Sequence, residues 1–130
     1  MKLLVWSIVM LGVILGGWLA FDGSRALIVG DYVTPSSGQY AGQLGLWANL
    51  VAAAGIDPRS TFMKSVHLGL GALWIVMTIG FALRMPWAWP GMMACAVLSL
   101  WYLPFGTLLS VIETVLLLKW RSSRPFAAGT

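Results

Sequence analysis

Residues 85–118 read MPWAWPGMMACAVLSLWYLPFGTLLSVIETVLLL, a tract whose one formal charge is Glu113. How this tract folds decides the architecture of the chain. As one helix of about 34 residues, at about 1.5 Å per residue, it would reach roughly 51 Å. A bilayer's hydrocarbon core is about 30 Å thick and is crossed in about 20 residues, so a single span would need severe tilt. Leu103-Pro104-Phe105-Gly106-Thr107 sits in the middle. Proline cannot donate to the helix ladder and disfavours helix at the residue before it, while glycine permits the angles of a tight turn. The spacing predicts two helices, residues 86–103 and 105–120, joined by a turn.

Two further runs are apolar enough to cross. Leu3 to Phe21 holds no charge, and Ser65 to Leu83 holds only His67. Of the 130 residues 59% are hydrophobic and 9% charged, and the mean hydropathy is +0.86. A soluble domain carries roughly a quarter of its residues charged, so this chain's solvent is expected to be mostly lipid. The fold class predicted is an all-α membrane protein, a four-transmembrane-helix bundle with helices over residues 3–21, 58–84, 86–103 and 105–120. The first run exceeds the roughly 7–15 apolar residues of a signal peptide, and a cut after Ala20 would put Trp18 where a small residue is wanted. It reads as a retained anchor helix.

The net charge is +4, but the basic residues stand at span ends, where they meet phospholipid headgroups rather than nucleic acid. Lys2, Arg84, Lys119, Arg121 and Arg124 fall on one side of a four-span topology; Arg25, Arg59 and Lys64 fall on the other, beside Asp22, Asp31 and Asp57. Cytoplasmic flanks are richer in Lys and Arg. Both termini are therefore expected in the cytoplasm, in the manner of a multi-pass protein of a bacterial inner membrane.

The insert between the first two spans then lies outside. From Tyr40, large apolar residues recur at Leu44, Trp47, Val51 and Ala54, one face of a helix. Ser36, Ser37 and Gly38 offer start signals and Gly55 a left-handed stop, so residues 38–54 are predicted as an amphipathic interfacial helix. It carries no Lys or Arg, so anionic lipid is not what would hold it. In the corner that follows, Asp57 is placed to cap the next helix and Pro58 to occupy its first position.

Few residues suggest chemistry. Glu113 is the one acid inside a span, and such groups usually face protein or water. Counting inward from the basic flanks puts Glu113, Thr78 and Ser7 at a common depth, with Ser110 one turn from Glu113. Three readings compete: a polar clasp between helices, contact with a partner subunit, and a proton or cation path. His67 reads as an interfacial or capping residue, the rival being a ligand shared with another subunit. Cys95 reads as packing filler, since one thiol makes neither an internal disulfide nor a metal site. Trp47, Trp87, Trp89 and Trp101 are expected as anchors at the two membrane interfaces. Gly12 and Gly16 form a GxxxG, and Gly106, Ser110 and Thr114 share a face of the last helix. Close packing within the bundle competes there with self-association. No nucleotide loop, nucleophile elbow, HExxH or CxxC motif is present, and nothing implies a metal or cofactor.

The pieces GDYVTPSSGQYAGQLGLWANLVAAAGIDPRS (30–60), RMPWAW (84–89) and WYLPFGTLL (101–109) resemble small bacterial four-helix integral membrane proteins without an assigned activity. In these a basic-Pro-Trp-Ala turn and a Pro-x-Gly-Thr hairpin recur, and the resemblance implies the topology but no active site. Glu113 falls where that pattern has an aliphatic residue. The expected function is non-catalytic: an accessory, assembly or scaffolding subunit of a larger membrane complex, partnered by lipids and by other membrane subunits or a second copy. The alternative is a small transporter or proton-conducting protein using Glu113. An enzyme acting on lipid ranks third, because no nucleophile stands with a base.

Overall fold

The computed structural model describes residues 2–39 and 41–123, and among them the chain forms five helices and no strand. Tyr40 and Arg124, which entered the helical spacing and the charge count above, lie outside the described residues. Helix α1 spans Lys2–Val29, α2 Leu46–Ala53, α3 Thr61–Ala82, α4 Ala88–Leu98 and α5 Phe105–Ser123.

The first helix runs well past the expected end at residue 21. Asp22, Ser24 and Arg25 are polar but do not break a helix, and the stop comes only at Gly30, with φ +112°. The interfacial helix is correspondingly shorter than residues 38–54. Gly38 and Gly42 adopt positive φ (+87° and +73°), which interrupts any helix before Gly45 caps α2. At the other end of α2, Ile56 N–H bonds Val51 O and Gly55 N–H bonds Ala52 O, with Gly55 at φ +89°. This is a Schellman stop. The next helix starts at Thr61 rather than Pro58, because Ser60 is the residue whose side chain accepts from Met63 N–H. Asp57 instead accepts from Arg59 N–H, holding the corner.

Helices α1, α3, α4 and α5 form a ring in which each packs on the next and α5 returns to α1. Partners along α1 and α3 run in opposite order: Gly12 faces Thr78, Gly16 faces Trp74 and Gly71, and Gly23 faces His67 and Leu68. At one end of the ring the Phe81 and Trp120 rings are 4.9 Å apart and Trp89 Nε1–H donates to Leu117 O. At the other, Trp101 and Tyr102 reach His67. Residues 87–103 therefore climb the full height of the ring and α5 descends it, turning at Pro104. The first and last described residues emerge at the same end. Regular helix in the ascending segment stops at Leu98, short of residue 103. Ser99 to Pro104 form turns, so α4 alone, at roughly 17 Å, is too short to cross a hydrocarbon core.

Two helices, Lys2–Val29 and Thr61–Ala82, are long and apolar enough to cross a membrane. Large apolar side chains cover the outside of the ring, among them Met10 and Ile14 on α1, Val76 and Ile79 on α3, and Leu108 and Val115 on α5.

Candidate functional site

The sequence-predicted clasp at Glu113 does not close. Glu113, Thr78 and Ser110 are buried, yet Thr78 Oγ1, Ser110 Oγ and both Glu113 carboxyl oxygens have no hydrogen-bond partner. Ser7 Oγ–H turns back to Leu3 O. Geometry explains the difference. Helices α3 and α5 stand on the diagonal of the ring, where direct bonding is hardest. The Phe81–Trp120 contact also sets their registration, with Thr78 three residues and Glu113 seven residues further in. At about 1.5 Å per residue these depths differ by roughly 6 Å. The basic flanks, from which a common depth was inferred, do not lie at one level, because α5 continues to Ser123 while α3 ends at Ala82.

Small residues are used inside the ring. A Cβ at Gly12 would collide with Thr78 Oγ1, one at Gly16 would stand 2.6 Å from Trp74 Cβ, and one at Gly106 2.6 Å from Tyr102 Cβ. Thr114 Oγ1–H donates to Ser110 O within α5.

The most organised chemistry lies around His67, which is neither surface-facing nor a cap. Its side chain is fully buried, and Nδ1 is 2.8 Å from Met63 O. A carbonyl can only accept, so the proton is assigned to Nδ1 and Nε2 is left as a lone-pair acceptor. Nε2 is buried and without a partner. Four aromatic rings enclose the imidazole: Trp47 at 4.6 Å, Tyr32 at 4.7 Å, Trp101 at 5.3 Å and Tyr102 at 5.4 Å between centroids. They come from three separate segments that other bonds hold in place. Tyr32 O–H donates to Pro58 O, Trp47 N–H to Leu103 O, and Trp18 Nε1–H to the Tyr102 hydroxyl.

Trp47 was expected as an interface anchor. It is 5% exposed and packs in this cage instead, because α2 lies over the end of the ring with its apolar face down. Trp101 is half-buried in the same cage. Trp87 is exposed but leans on Gly80, and Trp89 carries Arg121 over its ring at 4.4 Å. Trp87 and Trp89 thus sit at one end of the ring, Trp47 and Trp101 at the other.

Sequence reasoning did not find Asp22, Tyr32 and Tyr102. Asp22 is buried and accepts from Val33 N–H at 2.7 Å, while Arg25 donates to the Asp31 and Tyr32 carbonyls. For Asp22 and Tyr32 the one sequence signal was an acid–base–aromatic run just beyond the first apolar tract; for Tyr102 it was the aromatic pair that precedes Pro104. Beside the cage, an open groove of about 450 Å³ runs between Val66, Gly69, Leu70 and Leu73 of α3 and Val97 and Leu98 of α4, with Trp101 at its end. Among the described residues no three His, Cys, Asp or Glu side chains come together as a metal site would require.

No protein-family model, curated protein or solved structure matches this chain. Its function must be argued from its own residues.

Proposed function

We propose that this chain is a multi-pass protein of a bacterial inner membrane, with α1, α3, the 87–103 segment and α5 as four crossings. It would serve as a non-catalytic accessory, assembly or scaffolding subunit of a larger membrane complex. The apolar exterior supports the lipid setting. Charge supports the orientation. Lys2, Arg84, Lys119 and Arg121 stand at the end that lacks carboxylates, while Arg25, Arg59 and Lys64 share the other end with Asp22, Asp31 and Asp57. The first end belongs in the cytoplasm.

One observation carries the accessory role. At about 1.5 Å per residue, α1 measures roughly 42 Å and overreaches a 30 Å core by about 12 Å. The part beyond Asp22 ends in Ile28 and Val29, 84% and 67% exposed, at the level of the charged Asp31–Arg59 layer. Large apolar side chains held beyond the hydrocarbon core, beside charged groups, favour a protein contact. The partner can be another subunit or a second copy. Purification in mild detergent followed by mass spectrometry tests this. A stoichiometric partner lost in Ile28→Glu/Val29→Glu, with membrane insertion intact, is the expected result. A monomer in every detergent would contradict it.

A second reading rests on a separate observation. The buried polar side chains Asp22, His67, Ser99, Ser110, Glu113 and Thr78 recur along the interior from one end of the ring towards the other. Unsatisfied groups in such a column favour proton movement through Glu113. Under this reading Glu113→Gln abolishes a pH-driven flux in liposomes, and undiminished flux removes it.

A further inference from the structure

Four rings pack directly on the His67 imidazole, at 4.6 to 5.4 Å between centroids, and leave the side chain fully buried. The closed cage therefore has no room to hydrate a charge. With Nδ1–H donating to Met63 O, Nε2 is the one position left for a second proton, and it has no partner. The charged and titratable groups around the cage are engaged elsewhere. On α1, Gly23 abuts the His67 main chain, the Asp22 carboxyl accepts from Val33 N–H, and Arg25 donates to the Asp31 and Tyr32 carbonyls. On α3 itself, Lys64 donates to Gly30 O one turn earlier. Asp31 pairs with Arg59, Tyr32 O–H donates to Pro58 O, and the Tyr102 hydroxyl accepts from Trp18. Both phenols stay neutral in acid. Helix α2 brings Trp47 and no ionisable side chain.

We propose that His67 is an acid-operated latch on the layer formed by Tyr32 and α2. A proton on Nε2 turns the imidazole into a cation that the closed cage disfavours, and the layer lifts from the end of the ring. Ring faces attract cations, but the cost of burying an unpaired charge exceeds that attraction. A histidine in water takes up this proton below about pH 6.5. The closed state favours the neutral form, so closure is fully stable above that pH and weakens as pH falls, by up to about tenfold per unit. The layer is the part that yields. Tyr32 and Trp47 come from outside the four packed helices, and α2 has no extended contact with any of them. It is fastened by the Trp47 ring and by Trp47 N–H on Leu103 O. Trp101 and Tyr102 belong instead to the segment that climbs the ring. The latch rests on the fold alone; on the orientation proposed above, it reads the acidity of the outer compartment.

The test uses the full chain in detergent micelles, so it is independent of topology and of any partner. The chain has one histidine, and isotope labelling of it gives a single imidazole signal by NMR. Amide exchange, corrected for its intrinsic pH dependence, is followed in parallel. A neutral imidazole protonated at Nδ1 and a protected α2 are expected at about pH 7.5. Between there and about pH 4.5, protection over residues 46–56 should fall by about tenfold to a hundredfold while α5 holds, and the imidazolium should appear over the same range. His67→Phe keeps a ring in the cage without the base, and should leave protection flat. Should that variant not fold, the wild-type imidazole signal decides. Imidazolium formed with protection unchanged, a neutral imidazole with full protection at the acid end, or the same loss of protection in His67→Phe would each overturn the proposal.

Discussion

Gly71 of α3 lies so close to α1 that a Cβ on it would collide with the Ala20 backbone and stand 2.7 Å from Gly16 O. The two helices touch by main chain here, with Gly16 and Gly71 facing each other. Gly71→Val should therefore push the pair apart. Inserting carbon into a filled interior costs about 1–3 kcal/mol, more where the obstacle is backbone. Gly69→Ala, two residues away in open space, should be close to neutral. Thermal unfolding of both variants in one detergent compares them, and equal melting points would mean that α1 and α3 are not in main-chain contact.

Arg84 closes α3 in a conformation that suits glycine. Its φ is +63°, with Met85 N–H bonded to Gly80 O and Arg84 N–H to Phe81 O. A left-handed L-residue costs about 1–2 kcal/mol. Arg84→Gly should raise stability by about 1 kcal/mol while reducing the positive charge at that end. Lower stability in the glycine variant, measured by thermal melts, would show that the guanidinium contributes more than the strain removes.

Trp47 pins the α2 layer to the ring. It contacts His67, Tyr32, Trp101 and Tyr102, and its N–H bonds Leu103 O. Loss of a buried tryptophan side chain costs about 3–5 kcal/mol. In Trp47→Ala, amide exchange over residues 31–56 should speed up far more than exchange in α3 and α5. Uniform acceleration along the chain would instead make α2 an integral part of one cooperative unit.

The Asp31–Arg59 pair should respond to pH in a defined direction. Burial acts to raise the Asp31 pKa, but the Arg59 hydrogen bond, the Tyr32 N–H and the charges of Arg59 and Lys64 outweigh it and hold the carboxyl below its usual 3.8. A carboxyl lowered on folding stabilises above its unfolded pKa, and that contribution is lost as pH falls through the folded value. The loss is therefore expected below about pH 4 and not near neutrality. Both side chains are over two-fifths exposed, so the effect is at most about 1 kcal/mol and fades in salt. Arg59→Gln should flatten this acid limb in pH-dependent melts. An unchanged limb would assign it to other carboxyls.

The apolar runs made α1 and α3 legible, and Pro104 with Gly106 made the turn before α5 legible, because length and backbone chemistry act locally. Gly55 as a left-handed stop was readable for the same reason. The insert was less so. Its apolar spacing from Leu44 to Ala54 is helical, but Gly38 and Gly42 take positive φ and leave only Leu46–Ala53 as helix. Ser60 took the cap that Asp57 was positioned to take, a choice set by where the chain re-enters the ring. The His67 cage was illegible because it gathers rings from 20 to 35 residues away on either side, through contacts that no spacing encodes. Glu113, Thr78 and Ser7 do not share the depth that the basic flanks predict, because Arg84 lies past the end of α3 while Lys119 lies inside α5, so the charges mark no common plane.

The central claim is that the ring is embedded with both ends of residues 2–123 facing the cytoplasm and the α2 layer facing out. Cysteine accessibility measures this directly, after Cys95, which is buried, is replaced by Ala. Single cysteines at Lys2, Gln43 and Ser123 would be probed with a membrane-impermeant maleimide in intact cells and in inverted vesicles. Labelling of positions 2 and 123 only in inverted vesicles, and of position 43 only in intact cells, is the predicted result. Labelling of positions 2 and 123 from opposite faces would contradict it.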